Sequence, residues 1–200
     1  MKYQANIKAL AALEPDFMGF IFYPPSKRFI GVEFEKQDIE HLNPAIKRTA
    51  VFVNAQFHEI VEFANLYGIK TLQLHGNEPP ELCEQLKQKG FSIIKAFGVD
   101  ENFNFDVLLN YENHIDFFLF DTKTSEFGGS GLSFNWDILQ KYQLEKPFLL
   151  SGGLSLENLA EVLKIENKHF YGVDLNSKFE IEPGLKDIEK LKKAFELIKA

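Results

Sequence analysis

The sequence predicts an α/β domain in which parallel strands are joined by crossover helices. Three observations carry that prediction. Apolar, strand-like runs alternate with helical patterns along nearly the whole chain, and a parallel neighbour is reached only through such a crossover. Phe117 to Phe120 form a continuous bulky apolar run, as expected of a strand covered on both faces. Asp121 stands where that run gives out, ahead of a polar loop containing Gly128, Gly129, Ser130 and Gly131. Two hundred residues fit a single domain, residues 1–200, with a sizeable core.

The first element is a helix: Ile7, Leu10, Ala11 and Leu13 share one face between Lys2 and Glu14, and Pro15 ends the pattern. Seven strand-like runs follow, at Asp16 to Phe22, Thr49 to Asn54, Thr71 to Gly76, Ser92 to Phe97, Phe117 to Thr122, Pro147 to Gly153 and Phe170 to Asn176. Helical patterns fill the intervals. Gln56 to Tyr67 carries Ile60, Phe63, Ala64 and Tyr67 on one stripe, and Pro80 to Lys89, Asp100 to Asn110, Phe134 to Tyr142, Ser155 to Lys164 and Lys186 to Lys199 behave alike. Glu35 to Leu42 is a shorter, weaker candidate. The count is therefore seven strands and eight helices, beginning with a helix. The simplest expectation is an eight-fold β/α barrel lacking its first strand, the alternative being a seven-stranded open sheet with an extra N-terminal helix.

Composition narrows the function classes. A formal charge of -7 argues against a nucleic-acid partner, whose phosphates need a basic face. With no apolar run of about 18 residues and no leader-like N-terminus, no membrane partner is expected and the reading is cytoplasmic. One cysteine excludes an internal disulfide and suits a reducing compartment. The 21 phenylalanines point to aromatic core packing.

Several residues carry candidate chemistry. In parallel barrels the C-terminal ends of the strands bear the active site, so Asp121 is a candidate proton donor, with burial expected to disfavour its charged form. An ordinary turn aspartate is the plain alternative. Leu150-Ser151-Gly152-Gly153-Leu154 ends a strand with paired glycines, and Ser155 then reads as a helix N-cap. Together with Gly172 to Ser177 at the end of the last strand, this suits a phosphate cradle, since barrels commonly bind phosphate after their last two strands. Arg28, in the proline-stiffened Pro24 to Phe29 loop, could clamp a carboxylate, the plain alternative being a solvated loop arginine. Gln73 and His75 share one side of a strand and either face a ligand or cap the strand end. The five histidines are scattered without ligand spacing, so no metal is expected. Cys83 reads as a packing residue.

The stretches DFMGFIFYPPSKRF, VFVN, LQLHGNE, LFDTKTSEFGGSGLSFNW, LSGGLSLEN and GVDLNSKFEIEPGLKD resemble, in order and spacing, those of the phosphoribosylanthranilate isomerases of tryptophan biosynthesis. The resemblance implies a (β/α)8 TIM barrel, no cofactor, and a small phosphorylated substrate. It implies an Amadori rearrangement of N-(5'-phosphoribosyl)anthranilate to 1-(2-carboxyphenylamino)-1-deoxy-D-ribulose 5-phosphate by a monomer or homodimer. Asp121 then corresponds to the general acid, Arg28 to the holder of the anthranilate carboxylate, and Gly152, Gly153, Asn176 and Ser177 to the phosphate site. The family's general base is a cysteine in a first-strand segment of the form K-x-C-G-M. Met1 matches the methionine of that segment, so strand and cysteine are expected upstream of residue 1, and the chain as written is expected to show little or no isomerase activity. Unpaired edges beside Met18 to Phe22 and Phe170 to Leu175 are expected to cost several kcal/mol against a total stability of about 5 to 15. The competing readings are a non-catalytic phosphate- and carboxylate-binding barrel and another phosphate-binding barrel enzyme, such as an indole-glycerol-phosphate synthase, for which Lys95 would be the strand lysine.

Overall fold

The computed structural model describes residues 1–123 and 135–199. The predicted loop residues Gly128, Gly129, Ser130 and Gly131, and Phe134 of a predicted helix, lie outside the described residues. All seven predicted runs are strands: β1 (Phe17–Ile21), β2 (Lys47–Phe52), β3 (Thr71–Leu74), β4 (Ser92–Val99), β5 (Phe117–Thr122), β6 (Phe148–Leu150) and β7 (Phe170–Val173). They form one parallel sheet in the order β1-β2-β3-β4-β5-β6-β7. Every strand therefore lies beside its neighbour in sequence. A doubly wound open sheet would reverse direction at a switch point, and this one does not.

The sheet curls. The ring of Phe17 in the first strand lies 6.2 Å from that of Tyr171 in the last, and both pack edge-on against Phe117 of β5, at 5.6 Å and 5.0 Å. Alternation along the strands then separates two apolar clusters. Ile94, Ala96, Leu119 and Leu149 point into the concave side, while Phe118, Phe120 and Phe148 point outward into the larger core beneath the helices. Much of that outer core is aromatic, with Phe118 and Phe120 stacked at 6.1 Å and Phe120 against Phe148 at 5.2 Å.

The outer layer holds α1 (Gln4–Ala11), α2 (Phe57–Tyr67), α3 (Pro80–Gln88), α4 (Leu159–Val162) and α5 (Ile188–Lys199). The helix α2 shows how local sequence sets the bounds. Gln56 and Glu59 form a capping box at its start, and Gly68, at φ 65°, closes its end in the left-handed region. The expectation of eight helices needs correction. Among the described residues, Glu35 to Leu42, Asp100 to Asn110 and Phe134 to Tyr142 give only 3-10 turns at Lys36–Asp38, Phe105–Asn110 and Trp136–Lys141. Asn104 and Asn135 cap two of these turns by accepting from the N–H two residues on, and each turn stays a short 3-10 segment.

Sequence reading also missed a hairpin, β8 (Glu180–Glu182) with β9 (Leu185–Lys186). Its turn is Pro183-Gly184, with Gly184 at φ 89°. Asn6 of α1 fixes the hairpin by accepting from the Lys186 N–H at 2.8 Å and donating to the Lys186 carbonyl at 2.9 Å.

Between β1 and β7 lies a seam, since each of these strands has a partner on one side only. The sequence expectation of an unpaired edge at β1 needs correction, since part of that edge is covered. Gly19 O accepts from Met1 N at 3.3 Å, and Ile21 O from Ile30 N at 3.1 Å. Leu10 of α1 and Leu191, Phe195 and Ile198 of α5 face the seam from outside, lining the same cavity as Met18 and Gly19.

Candidate active site

A cavity of about 400 Å³ runs along the concave side of the sheet, from Asp16 and Phe17 at the start of β1 to the C-terminal ends of the strands. Asp121, Arg28, Gly152, Gly153, Asn176 and Ser177 all line it. Asp121 belongs to β5, two residues after the inward-facing Leu119, so alternation aims its carboxyl into the concave side. The carboxyl is half-buried and well held. Its Oδ1 accepts from Thr122 N–H at 2.8 Å, and its Oδ2 lies 3.2 Å from His75 Nε2. Gln73, two residues before His75 on β3, brings its Nε2 to 2.8 Å from His75 Nδ1. The sequence pairing of Gln73 with His75 thus resolves into a chain running from strand β3 to Asp121.

The paired glycines sit directly behind Asp121. Gly152 has φ 91° and Gly153 φ 65°. A β-carbon on Gly152 would fall 2.7 Å from Asp121 Oδ1 and 2.6 Å from Thr122 N, distances no side chain tolerates. Glycine is required here both by conformation and by approach. The expectation that Ser155 caps a helix fails. Its N–H donates to Asn158 Oδ1 at 2.8 Å, Asn158 Nδ2 returns a bond to Gly153 O at 3.0 Å, and α4 begins only at Leu159. A one-turn helix has little dipole, so the dipole expected to favour an anion at this turn is small.

Arg28 is far from a solvated loop arginine. Its Nε and Nη2 both reach Glu180 Oε2 at 2.8 Å, and the two side chains are mostly buried. Glu180 Oε1 accepts from Gly184 N–H at 3.1 Å and lies 3.5 Å from Lys186 Nζ. Lys186 Nζ in turn donates to Asn176 Oδ1 at 2.8 Å and to Leu175 O at 3.1 Å. One network thus links the loop after β1, the loop after β7 and the hairpin.

Burial alone would raise the Glu180 carboxyl. The bond from Arg28, the charge of Lys186 and the Gly184 N–H outweigh it and hold that carboxyl below the usual carboxylate range. Burial pushes Lys186 below the ordinary lysine value, against the opposing pull of Glu180 and Asp174. Asp174, also lining the cavity, is shifted upward by enclosure, with Lys186 opposing and Asp121 adding to the rise. Sequence reading had given no role to Glu180 or Lys186, and Asp174 entered it only within the Gly172 to Ser177 stretch. The signal for Glu180 and Lys186 lay in charged residues flanking Pro183-Gly184 after β7.

Lys95 is not a site residue. Alternation turns it outward between the inward-facing Ile94 and Ala96. There its buried ammonium pairs with Glu78 at 3.1 Å and donates to the carbonyls of Leu74, Gly76 and Ala96. This removes the strand lysine that a synthase reading needs. Cys83 is buried in α3, where burial pushes its thiol up to about 12, with Lys95 opposing.

Comparison with known proteins agrees in one direction. The family model for N-(5'-phosphoribosyl)anthranilate (PRA) isomerase matches residues 1–197. The isomerase of Parabacteroides distasonis is 48% identical over 195 residues, covering 96% of this chain and 87% of that protein. That of Thermotoga maritima is 38% identical over 178 residues, covering 88% and 84%. The crystal structure of the T. maritima enzyme superposes with a TM-score of 0.89 at 34% identity, over 100% of this chain and 95% of that one. A phosphoribosyl anthranilate isomerase in complex with reduced 1-(o-carboxyphenylamino)-1-deoxyribulose 5-phosphate superposes with a TM-score of 0.85 at 30% identity, over 100% and 95%. The chain belongs to the N-(5'-phosphoribosyl)anthranilate isomerase family.

Proposed function

We propose that this chain acts in tryptophan biosynthesis on N-(5'-phosphoribosyl)anthranilate, rearranging it to 1-(2-carboxyphenylamino)-1-deoxy-D-ribulose 5-phosphate. The observation that carries the reading is that one cavity is lined by an acid, an arginine and a paired-glycine turn. In this reading Asp121 protonates the furanose ring oxygen as its bond to C1' breaks. The anthranilate nitrogen lone pair then forms the C1'=N bond of a Schiff base. Loss of the C2' proton to a base gives the enolamine, which becomes the C2' ketone as C1' takes up a proton and the C2' hydroxyl gives up its own. Arg28 holds the anthranilate carboxylate. Backbone groups of Gly152 and Gly153, with Asn176 and Ser177, hold the phosphate.

The architecture proposed is an eight-fold β/α barrel in which the seam between β1 and β7 is the place of the remaining strand. A base is also needed. Cys83, the single cysteine, sits in α3 as a protonated, buried thiol, which supports the view that these 200 residues bind the substrate and supply the acid without supplying the base. Turnover then depends on a strand in the seam bearing the cysteine of a K-x-C-G segment. The test has two arms. By calorimetry the 200-residue chain should bind the reduced product, and D121N should bind it within about threefold. Adding a synthetic strand peptide of the K-x-C-G form should produce turnover in the wild-type chain and none in D121N. Absence of product binding overturns the substrate assignment. Equal turnover with and without the peptide overturns the role of the seam.

A further inference from the structure

One feature of the cavity has no place in that scheme, the chain Gln73–His75–Asp121. We propose that His75 is a positioning residue for the acid, its Nε2–H holding Asp121 Oδ2 in the reacting orientation while the Gln73 amide selects which ring nitrogen carries the proton. The inference rests on Asp121 being the acid of the proposed isomerase. It is argued from geometry.

Both oxygens of Asp121 have a nitrogen neighbour: Thr122 N–H donates to Oδ1 at 2.8 Å, and His75 Nε2 lies 3.2 Å from Oδ2. Neutral imidazole has one N–H and one acceptor nitrogen, and whatever contacts one nitrogen decides the other. Gln73 turns its amide nitrogen toward Nδ1. As a donor there it leaves Nδ1 unprotonated and puts the ring proton on Nε2, facing Asp121. The amide is buried, at 8% exposure, so water does not compete freely for this choice. The cationic and anionic neighbours of the ring are Asp121 from β5 and Asp174 from beyond β7.

The turn that carries His75 is anchored far more firmly than strand-end capping requires. Glu78 accepts from Asn54 N–H at 2.8 Å and from Gly76 N–H at 2.9 Å. Lys95 pairs with the same carboxylate and donates to Gly76 O at 2.8 Å. Asn54 Oδ1 takes the Asn77 N–H at 2.7 Å, and a β-carbon on Gly76 would lie 2.7 Å from Asn54 N. Backbone held on both sides of His75 leaves its ring one approach to Asp121. Placing a functional group within about 0.5 Å calls for a support of this kind.

Ring-nitrogen NMR of the 200-residue chain at neutral pH should show His75 with its proton on Nε2, and Q73L should lose that preference. A proton on Nδ1 in the wild-type chain would overturn the proposal. In the peptide-complemented chain, H75L should lower kcat by about ten- to a hundredfold, within the range for acid–base groups, with KM within about threefold. H75Q, whose amide donor reaches the place of Nε2, should recover most of that loss. Unchanged kcat in H75L, or H75Q as impaired as H75L, would show that the ring has only a packing role. Should the complemented wild-type chain fail to turn over, the proposed role of the seam falls, while the ring-nitrogen measurement still decides whether His75 orients Asp121 through Nε2.

Discussion

Gly152 lies so close to Asp121 that the two cannot be varied independently: a β-carbon on the glycine would stand 2.7 Å from the carboxylate Oδ1. The glycine turn and Asp121 are packed together as one unit. Their spacing is fixed by backbone contact and leaves nothing to side-chain choice.

It follows that G152A should damage both stability and binding. A side chain at φ 91° is strained, and the clash with Asp121 and Thr122 N adds to it. The expected loss is about 2 to 4 kcal/mol by urea denaturation, with reduced-product affinity falling at least tenfold. A variant of wild-type stability would show that the turn can move away from Asp121.

Glu180 provides a test by pH. Its folded-state value is depressed below the unfolded one of about 4.3. The stability it contributes is therefore complete above that value and is lost as pH falls through the lower folded value. The gap in stability between the wild-type chain and E180Q should be constant from neutral pH down to about 4.3 and narrow below it. A gap that widens on acidification would reverse the sign assigned here.

Lys95 and Glu78 are almost wholly buried, at 2% and 1% side-chain exposure. Removing one charge strands the other, so K95M should cost about 3 to 5 kcal/mol. K95M/E78Q should cost less than the two single changes added together. Additivity in this cycle would mean that the two groups do not stabilise each other.

Cys83 should be silent toward a thiol reagent at pH 9. Burial raises the thiol to about 12 and excludes the reagent. One equivalent should react once the chain is unfolded in guanidinium chloride. Fast labelling of the folded chain would place Cys83 at an accessible position.

All seven strands were legible in the sequence because continuous runs such as Phe117 to Phe120 have no plausible reading except burial on both faces. The acid and the glycine turn were legible for a related reason, since each ends such a run. The helices were less so. Phe105–Asn110 and Trp136–Lys141 have the apolar spacing of a helix and an asparagine cap before them, and periodicity does not separate a short 3-10 turn from a full α-helix. The loop of Arg28 suggested that it would meet a carboxylate, but its partner within the chain, Glu180, was not legible. That pairing is made by the hairpin around Gly184, and nothing local to either residue announces a contact across the seam.

Arg28 and Glu180 are separated by 152 positions along the chain, with all six of the strands β2 to β7 lying between them. Each ladder in the wall can form as soon as two consecutive strands meet, at modest entropic cost. This ion pair must wait until the whole wall has bent round and brought its two margins together. It therefore acts as a latch, fastened last in folding and released first when the wall begins to open.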